Sequence, residues 1–271
     1  MDISQIIALA IFVAVIGTIV SEKVHRAACA LGGAILLILI GILTPKEALE
    51  FIDFNTIGVL IGMMMFVAVV KNSGIFEFLA VKAAKLAKGD PWKIMVYFMI
   101  ITAVLSAFLD NVTTVLLIGP MTFSICSTLK LKPVPYLLTQ IIASNVGGTA
   151  TLIGDPPNIM IGSAADIPFI SFCLYDGPIV VITMAATILA FRFMYKKGLS
   201  VHPEKMELIM QMDEKKEIKD PVLFVKSIVM ILLVAAAFTM HGTIGLNTSV
   251  IALSCAAIMI IIGKQDVDAW I

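Results

Sequence analysis

Long runs without charge dominate the hydropathy pattern of this chain. No charged residue lies between Asp2 and Glu22 or between Asp53 and Lys71, and Lys226 to Lys264 encloses another such run. Apolar runs of roughly 17–25 residues span the hydrocarbon core of a bilayer as α-helices, and these runs lack the alternating polarity of membrane strands. We therefore predict an all-α integral membrane protein, a polytopic bundle with helices at about 3–20, 27–43, 54–71, 178–195, 222–240 and 249–263.

Composition supports this class. Hydrophobic residues make up 60% of the chain and charged residues 14%, whereas a soluble domain carries about 25% charged residues. The formal net charge is zero, so there is no electrostatic reason to expect a nucleic-acid partner. The partner that the composition predicts is the lipid bilayer.

The distribution of Lys and Arg predicts the orientation. If the N-terminus lies outside, all of the 19 Lys and Arg residues except Lys46 fall on one side of the predicted spans. Loops rich in Lys and Arg stay in the cytoplasm. We expect a multi-pass protein of the cell inner membrane, with its N-terminus outside and its C-terminus cytoplasmic.

The middle of the chain predicts two interrupted elements. Lys93 and Lys130 both belong inside, so residues 94–129 enter the membrane and return; their short segments favour a re-entrant hairpin over two full spans. Residues 133–165 then cross outward, but Gly147 to Asn158 contains glycine and proline pairs that interrupt a helix. We predict a broken helix with an unwound loop over these residues, lining a cavity because irregular backbone needs one at membrane depth.

Four segments follow from this topology. They are a first transmembrane helix with its inner turn (1–26), a transport repeat (27–195), a solvated cytoplasmic linker (196–221) and two further transmembrane helices (222–271). Within the repeat, residues 73–92 mix aromatic residues with lysines and predict an amphipathic helix on the cytoplasmic face.

Two carboxylates interrupt otherwise uncharged stretches and are candidates for ion binding. Placing Asp110 or Asp155 at membrane depth costs a few kcal/mol, roughly 3 on insertion scales, unless each faces a cavity. Oxygen and amide groups cluster around them: Asn111, Thr113, Thr114, Ser144, Asn145, Thr149, Thr151 and Asn158, with backbone carbonyls from Gly147, Gly148 and Gly154. Hard oxygen ligands suit sodium, for example at Asp110, Asn111, Thr149 and Asn158, and a buried aspartate suits protons as the coupling ion. The alternative is that the carboxylates meet water or cap helices, and that each hydroxyl bonds to its own helix.

The two motifs resemble the ion transporter superfamily. Ser106 to Thr114 (SAFLDNVTT) and Ala143 to Asn158 (ASNVGGTATLIGDPPN) are similar to its arsenite permease and sodium/proton antiporter branch, which includes P protein-like transporters. The resemblance implies two inverted repeats, each with a hairpin and a broken helix, and it places Asp110 and Asn111 at the hairpin tip. The dicarboxylate branch has Ser-Asn-Thr at that tip; here the positions hold Asp110, Asn111 and Val112. An acidic group facing the site disfavours a di- or tricarboxylate substrate.

A second copy of the motif pair is not found in the sequence. The chain ends at Asp268 to Ile271, which resembles the approach to a second repeat. We expect that repeat in a longer chain or in a separate subunit.

The hypothesis is a secondary active transporter of a small inorganic solute, performing arsenite efflux or sodium/proton antiport on a proton or sodium gradient. The alternatives are a non-transporting membrane subunit and an anion or carboxylate symporter of the same superfamily. A membrane enzyme is disfavoured, because the sequence has no nucleotide-binding loop, zinc-protease motif or nucleophile elbow.

Overall fold

The structure is a computed structural model that describes residues 2–195, 199 and 201–264. The described residues form α-helices, one 3-10 turn and no strand, in two compact units, Met1–Phe54 and Asn55–Ile271. The helices are α1 (Ile3–Val20), α2 (Arg26–Leu39), α3 (Pro45–Glu50), α4 (Phe54–Lys71), α5 (Ile75–Leu86), α6 (Pro91–Ser106), α7 (Asn111–Leu129), α8 (Pro133–Gly148), α9 (Pro156–Ala164), α10 (Phe169–Tyr195), α11 (Pro203–Gln211), α12 (Pro221–Ile244) and α13 (Thr248–Gly263). The predicted all-helical class is confirmed for this part of the chain.

Several helices match a bilayer in length and composition. Within the described residues α1, α4, α7, α10 and the first 20 residues of α12 are long and apolar enough to cross a membrane, and α2, α6 and α13 are shorter apolar helices. Large apolar side chains cover their outer surfaces; Phe193 is 85% exposed and Ile182 is 70% exposed. Apolar surface on this scale is stable in lipid rather than in water. The chain is a multi-pass membrane protein.

The helix ends refine the predicted spans. Residues 3–20 and 54–71 are helical as predicted, but α2 ends at Leu39 rather than near residue 43, and Gly41 beyond it takes a φ of +79°. Helix α10 begins at Phe169, nine residues before the predicted start at 178, and continues through Pro178. Membrane helices tolerate an internal proline, because neighbouring groups satisfy the backbone carbonyl that it leaves unpaired.

In the first unit α1 packs against α2, and α2 contacts α3. Gly33 of α2 lies so close to Val15 of α1 that a Cβ at this position would overlap the valine side chain. A capping box begins α3, in which Thr44 and Glu47 bond to each other's backbone N–H groups.

Helices α6, α7 and α8 form the centre of the second unit. The Tyr136 hydroxyl donates to the Pro91 carbonyl (2.9 Å) near the starts of α8 and α6, and Gly147 contacts Ala103 near their ends, so these two helices run parallel. A Cβ at Gly147 would lie 2.6 Å from the Ala103 carbonyl carbon, which explains why glycine is required there.

The region of the predicted hairpin holds two helices joined by a short turn, and the region of the predicted broken helix holds two helices separated by a loop. Helix α7 has 19 residues and is long and apolar enough to span a membrane, so re-entry of the hairpin stays a prediction. Helices α6 and α7 are joined by residues 107–110, and α8 and α9 by residues 149–155. The loop is shorter than predicted, because Gly147 and Gly148 complete α8 while Pro156, Pro157 and Asn158 form the first turn of α9. Proline fits the first turn of a helix, where its missing N–H would be unpaired in any case.

The predicted amphipathic helix buries its apolar face against protein. Helix α5 contacts α6, α7, α11 and the 3-10 turn at Glu214–Glu217, and its apolar face, including Phe76 and Val81, is buried. The predicted solvated linker is likewise folded in part: Ile209 of α11 is fully buried in the same cluster.

Two ion pairs hold the segment after α11 against α5. The Lys85 ammonium lies 2.5 Å from the Glu214 carboxylate, and Lys219 lies 2.7 Å from Glu77. The backbone N–H of Lys219 also donates to the Ser73 carbonyl (3.1 Å). The hydrogen bond from Lys85 holds the pKa of Glu214 below its usual value of 4.5.

Substituting Gly147→Ala should destabilise the second unit. The new Cβ would overlap the Ala103 backbone, and overpacking of this kind lowers the free energy of unfolding by about 1–3 kcal/mol. The measurement is thermal unfolding in detergent, followed by circular dichroism. Gly32→Ala in α2 is the control. Its Cβ would meet nothing within 4 Å, so the variant should unfold at the same temperature as the unsubstituted chain or at a higher one. Equal stability of both variants would show that α6 and α8 do not pack this closely.

Acid should release the linker from α5. Since the folded-state pKa of Glu214 lies below 4.5, the stabilisation from its bond to Lys85 is complete above this pH and is lost as the pH falls through the folded-state value. We expect faster cleavage of residues 203–217 by an acid-active protease as the pH falls. Glu214→Gln should remove this pH dependence, whereas Glu204→Gln, at an exposed position of α11, should keep it. If the pH dependence of cleavage were the same in the unsubstituted chain and in both variants, the Lys85–Glu214 pair would not be the acid-sensitive contact.

Candidate functional site

Asp110 begins α7 at the hairpin tip. Its Oδ1 accepts a hydrogen bond from the Thr113 N–H (2.9 Å), and the Thr114 hydroxyl donates to the Asp110 carbonyl (2.9 Å). The carboxylate is therefore an N-cap, which satisfies a backbone donor that the first helical turn leaves unpaired. Thr114 is fully buried, while Asp110 is partly exposed.

Hydrogen bonds join the unwound loop to the hairpin tip. The Thr151 hydroxyl donates to the Ala107 carbonyl and accepts from the Gly154 N–H (3.2 Å). The Asn158 amide donates to the carbonyls of Gly148 (3.1 Å) and Thr151 (3.0 Å), so it connects both sides of the helix break. These side chains replace the helical hydrogen bonds that the loop lacks.

A second set of contacts joins the tip to α8. The Asn111 amide donates to the Asn145 side-chain oxygen (2.8 Å), and the Asn145 amide donates to the Ile141 carbonyl (2.8 Å). Below them the buried Ser106 hydroxyl donates to the Ser144 carbonyl (2.7 Å). The tip and the broken helix therefore form one polar assembly.

Most of the candidate residues predicted from the sequence lie in this assembly. Asp110 is the N-cap of α7, and Asp155, the N-cap of α9, follows Gly154, whose backbone lies against the backbone of Ser106 and Gly148. The side chains at the surface of the assembly are Asn145 and Thr149, those partly exposed are Asp110, Asn111, Thr113, Asp155 and Asn158, and the buried residues are Thr114, Ser144, Gly147, Gly148, Thr151 and Gly154. Carboxylate, amide, hydroxyl and carbonyl oxygens of the kind that bind hard cations are thus concentrated at one place.

The hydroxyls divide into two groups. Those of Ser144 and Thr149 donate to carbonyls of their own helix, Ile141 and Val146 (both 2.8 Å), as the alternative interpretation expected. The hydroxyl of Thr151 bonds across to the hairpin instead. The structure therefore distinguishes Thr151 from the serine and threonine residues that precede it in the motif.

The sequence did not single out Ser106 as a site residue or predict an adjacent cavity of about 260 Å³. Leu152 and Ile153 of the loop form part of the cavity wall, together with Ser163, Asp166 and residues from α4 and the α12–α13 turn, including Asn55 and Asn247. No local sequence signal predicts this cavity, because segments far apart in the chain form it.

An open groove of about 210 Å³ lies beside the polar assembly. Asn111, Ser144 and Asn145 form its polar part, while its apolar part includes Val112 (64% exposed) and Leu116 (68% exposed). The partly exposed amides of the assembly therefore lie next to uncovered apolar surface.

Comparison with known proteins places the chain among transporters. The family profile described as "Citrate transporter" matches residues 16–271. The chain is 37% identical over 262 residues to an uncharacterized transporter of Mycobacterium bovis, covering 95% of this chain and 61% of that protein.

Two further relatives differ in size. A 46 kDa membrane protein of Mycobacterium leprae is 35% identical over 266 residues (97% of this chain, 62% of the relative), and the human P protein is 43% identical over 166 residues (59% of this chain, 20% of the relative). The chain spans about three fifths of the length of the mycobacterial relatives. The extent of the family match shows that this chain belongs to the citrate transporter family, whose members are membrane transporters and not enzymes.

Proposed function

We propose that this chain contains the first of two inverted repeats of a secondary active transporter, which exchanges a small inorganic ion or solute for protons or sodium. Arsenite efflux and sodium/proton antiport are the two activities that fit best. The observation that carries the proposal is the polar assembly at the hairpin tip, where Asp110 and Asp155 each begin a helix beside the break between α8 and α9. Broken helices bring backbone dipoles and carbonyls to the binding sites of transporters.

The positions of the two carboxylates favour a cation or a neutral solute. Asp110 and Asp155 are the N-cap residues of α7 and α9, where the helix dipole is positive. A negative charge at each helix start offsets the dipole that would otherwise attract an anion. A di- or tricarboxylate would therefore meet two acidic groups and no compensating positive helix end.

Anion or carboxylate symport is the second candidate. The family description names citrate, and two helices begin at the polar assembly. Protonation of both aspartates would leave these helix N-termini as an anion site. Transport of citrate that rises on acidification and does not need the carboxylate of Asp110 would favour this candidate.

The open groove beside Asn111 and Asn145 supports an incomplete site. Val112 and Leu116 could meet lipid, but the exposed Asn145 amide beside them is a polar group in a predicted membrane segment, which needs a protein partner or a cavity. We propose that a second repeat, in the full-length chain or in a separate subunit, packs there and supplies the rest of the site. A membrane subunit without transport activity is the remaining alternative.

The charge distribution supports an orientation for the proposed transporter. Lysines lie at the start of α8, and an arginine lies near the end of α10. Ser163, which lines the cavity beside the loop, lies near the last residue of α9, away from the loop at which α9 begins. We propose that the cavity opens outside the cell and that the α7–α8 turn is cytoplasmic, in the cell inner membrane.

Asp110→Asn should abolish coupled transport while preserving the fold. Asparagine is as good an N-cap as aspartate, so the substitution removes the charge and keeps the start of α7. The measurement is the sodium- or arsenite-dependent collapse of a proton gradient in everted vesicles from cells that express the full reading frame. Asp90→Asn is the control: Asp90 caps α6 through the same kind of bond, from the Lys93 N–H (2.9 Å), outside the polar assembly, and this variant should retain full transport. Full activity in Asp110→Asn would rule out Asp110 as the coupling carboxylate, and no transport by the unsubstituted protein would favour the subunit alternative.

Single cysteines test the proposed orientation. Ser163 and Ser127 are both exposed. Ser163 lies near the end of α9, beside the cavity, and Ser127 lies near the end of α7, beside the α7–α8 turn. With the four native cysteines replaced, Ser163→Cys should react in intact cells with a thiol reagent that cannot cross the membrane, whereas Ser127→Cys should react only after the cells are opened. The opposite pattern would invert the topology.

A further inference from the structure

The turn between α7 and α8 and the end of α10 enclose a cavity that the proposed transport cycle does not use. Its volume is about 360 Å³, and Lys130, Lys132, Met194 and Tyr195 are among the residues that line it. It lies outside the polar assembly at the opposite end of α8. We propose that this cavity binds the phosphate headgroup of an anionic phospholipid from the cytoplasmic leaflet.

Two lysines make the cavity basic. Lys130 ends α7 with a φ of +53° and Lys132 is the N-cap residue of α8; both are exposed. In the part of the chain that the structure describes, the ion pairs are Lys85–Glu214 and Lys219–Glu77, so neither lysine of the cavity has an acidic partner there. The phosphate of the lipid headgroup would supply the negative charge that the two lysines lack.

The first turn of α8 adds to the positive potential. Helix α8 has 16 residues, and the positive end of its dipole lies next to Lys132. Lys132 itself makes no side-chain capping bond, since a lysine cannot accept one from the helix N–H groups. The ammonium groups and the helix dipole therefore act on the same cavity.

The surroundings of the cavity favour a lipid over a free phosphate. Apolar side chains continue from it along α10, with Met194 65% exposed, Phe193 85% exposed and Leu189 56% exposed. Tyr195 joins the apolar and basic parts, as aromatic residues do at the membrane interface. Acyl chains can cover the apolar surface of α10 while the headgroup occupies the basic cavity, as basic pockets between membrane helices bind anionic headgroups.

Lipid binding by the purified full chain in neutral detergent tests this proposal. Native mass spectrometry would count the lipids that the protein retains in separate titrations with phosphatidylglycerol and with phosphatidylcholine. Inorganic phosphate would then be added to the lipid-bound protein as a competitor. We expect tighter binding of phosphatidylglycerol, which Lys130→Asn and Lys132→Gln should each weaken by about fivefold. Asparagine tolerates the left-handed backbone of Lys130, so this variant removes the charge without straining the turn.

Lys88→Asn and Lys93→Gln are the matched controls. Lys88 has nearly the same backbone as Lys130, with a φ of +54° and an N–H bond to the carbonyl three residues earlier, and both control lysines are exposed outside the cavity lining. The controls should bind phosphatidylglycerol as the unsubstituted chain does. Equal weakening in controls and cavity variants, equal binding of the two lipids, or displacement of the lipid by millimolar phosphate would overturn the proposal. If Lys130→Asn is not a folded protein by size-exclusion chromatography, the comparison of lipid binding by Lys132→Gln with that by its control Lys93→Gln tests the proposal.

Discussion

Backbone polar groups that leave a helix inside an apolar bundle need partners, and this requirement organises the second unit. The break between α8 and α9 removes a turn of helical hydrogen bonds, and each unpaired group away from water costs several kcal/mol, about 2–7. The Thr151 hydroxyl and the Asn158 amide meet this need by bonding to backbone carbonyls at the end of α8, in the loop and on the hairpin. The loop and the hairpin tip are therefore held as one element, and the groups that could bind an ion are positioned by it.

Close helix packing supplies the second constraint. The contact of Gly147 with the Ala103 backbone brings α6 and α8 together, and Gly154 meets the Ser106 carbonyl, where a Cβ would lie 2.7 Å away. In a membrane, small residues permit the close approach that provides packing energy. The glycines of the motif thus act through packing at the ends of the loop, and Gly147 and Gly148 do so as helical residues of α8.

The cytoplasmic elements show a different balance of forces. Composition indicated an amphipathic helix and a solvated linker, but α5 buries its apolar face on the hairpin, and Ile209 anchors the linker in the same core. An apolar stripe along a helix does not by itself distinguish a face that meets lipid from one that meets protein, since both environments are apolar. The ion pair between Lys85 and Glu214 joins residues 129 positions apart, which sequence patterns do not pair.

The sequence by itself determined the helical membrane class, most span positions and the break between α8 and α9, because long apolar runs and paired prolines act locally. It also identified Asp110 and Asp155, since charge within an uncharged stretch is visible without a structure. Only the tertiary structure decided that Thr151 bonds to the Ala107 carbonyl and that Asn111 meets Asn145. These partners are 44 and 34 residues apart in the chain, and packing in three dimensions, rather than spacing along the chain, sets which hydroxyls and amides meet.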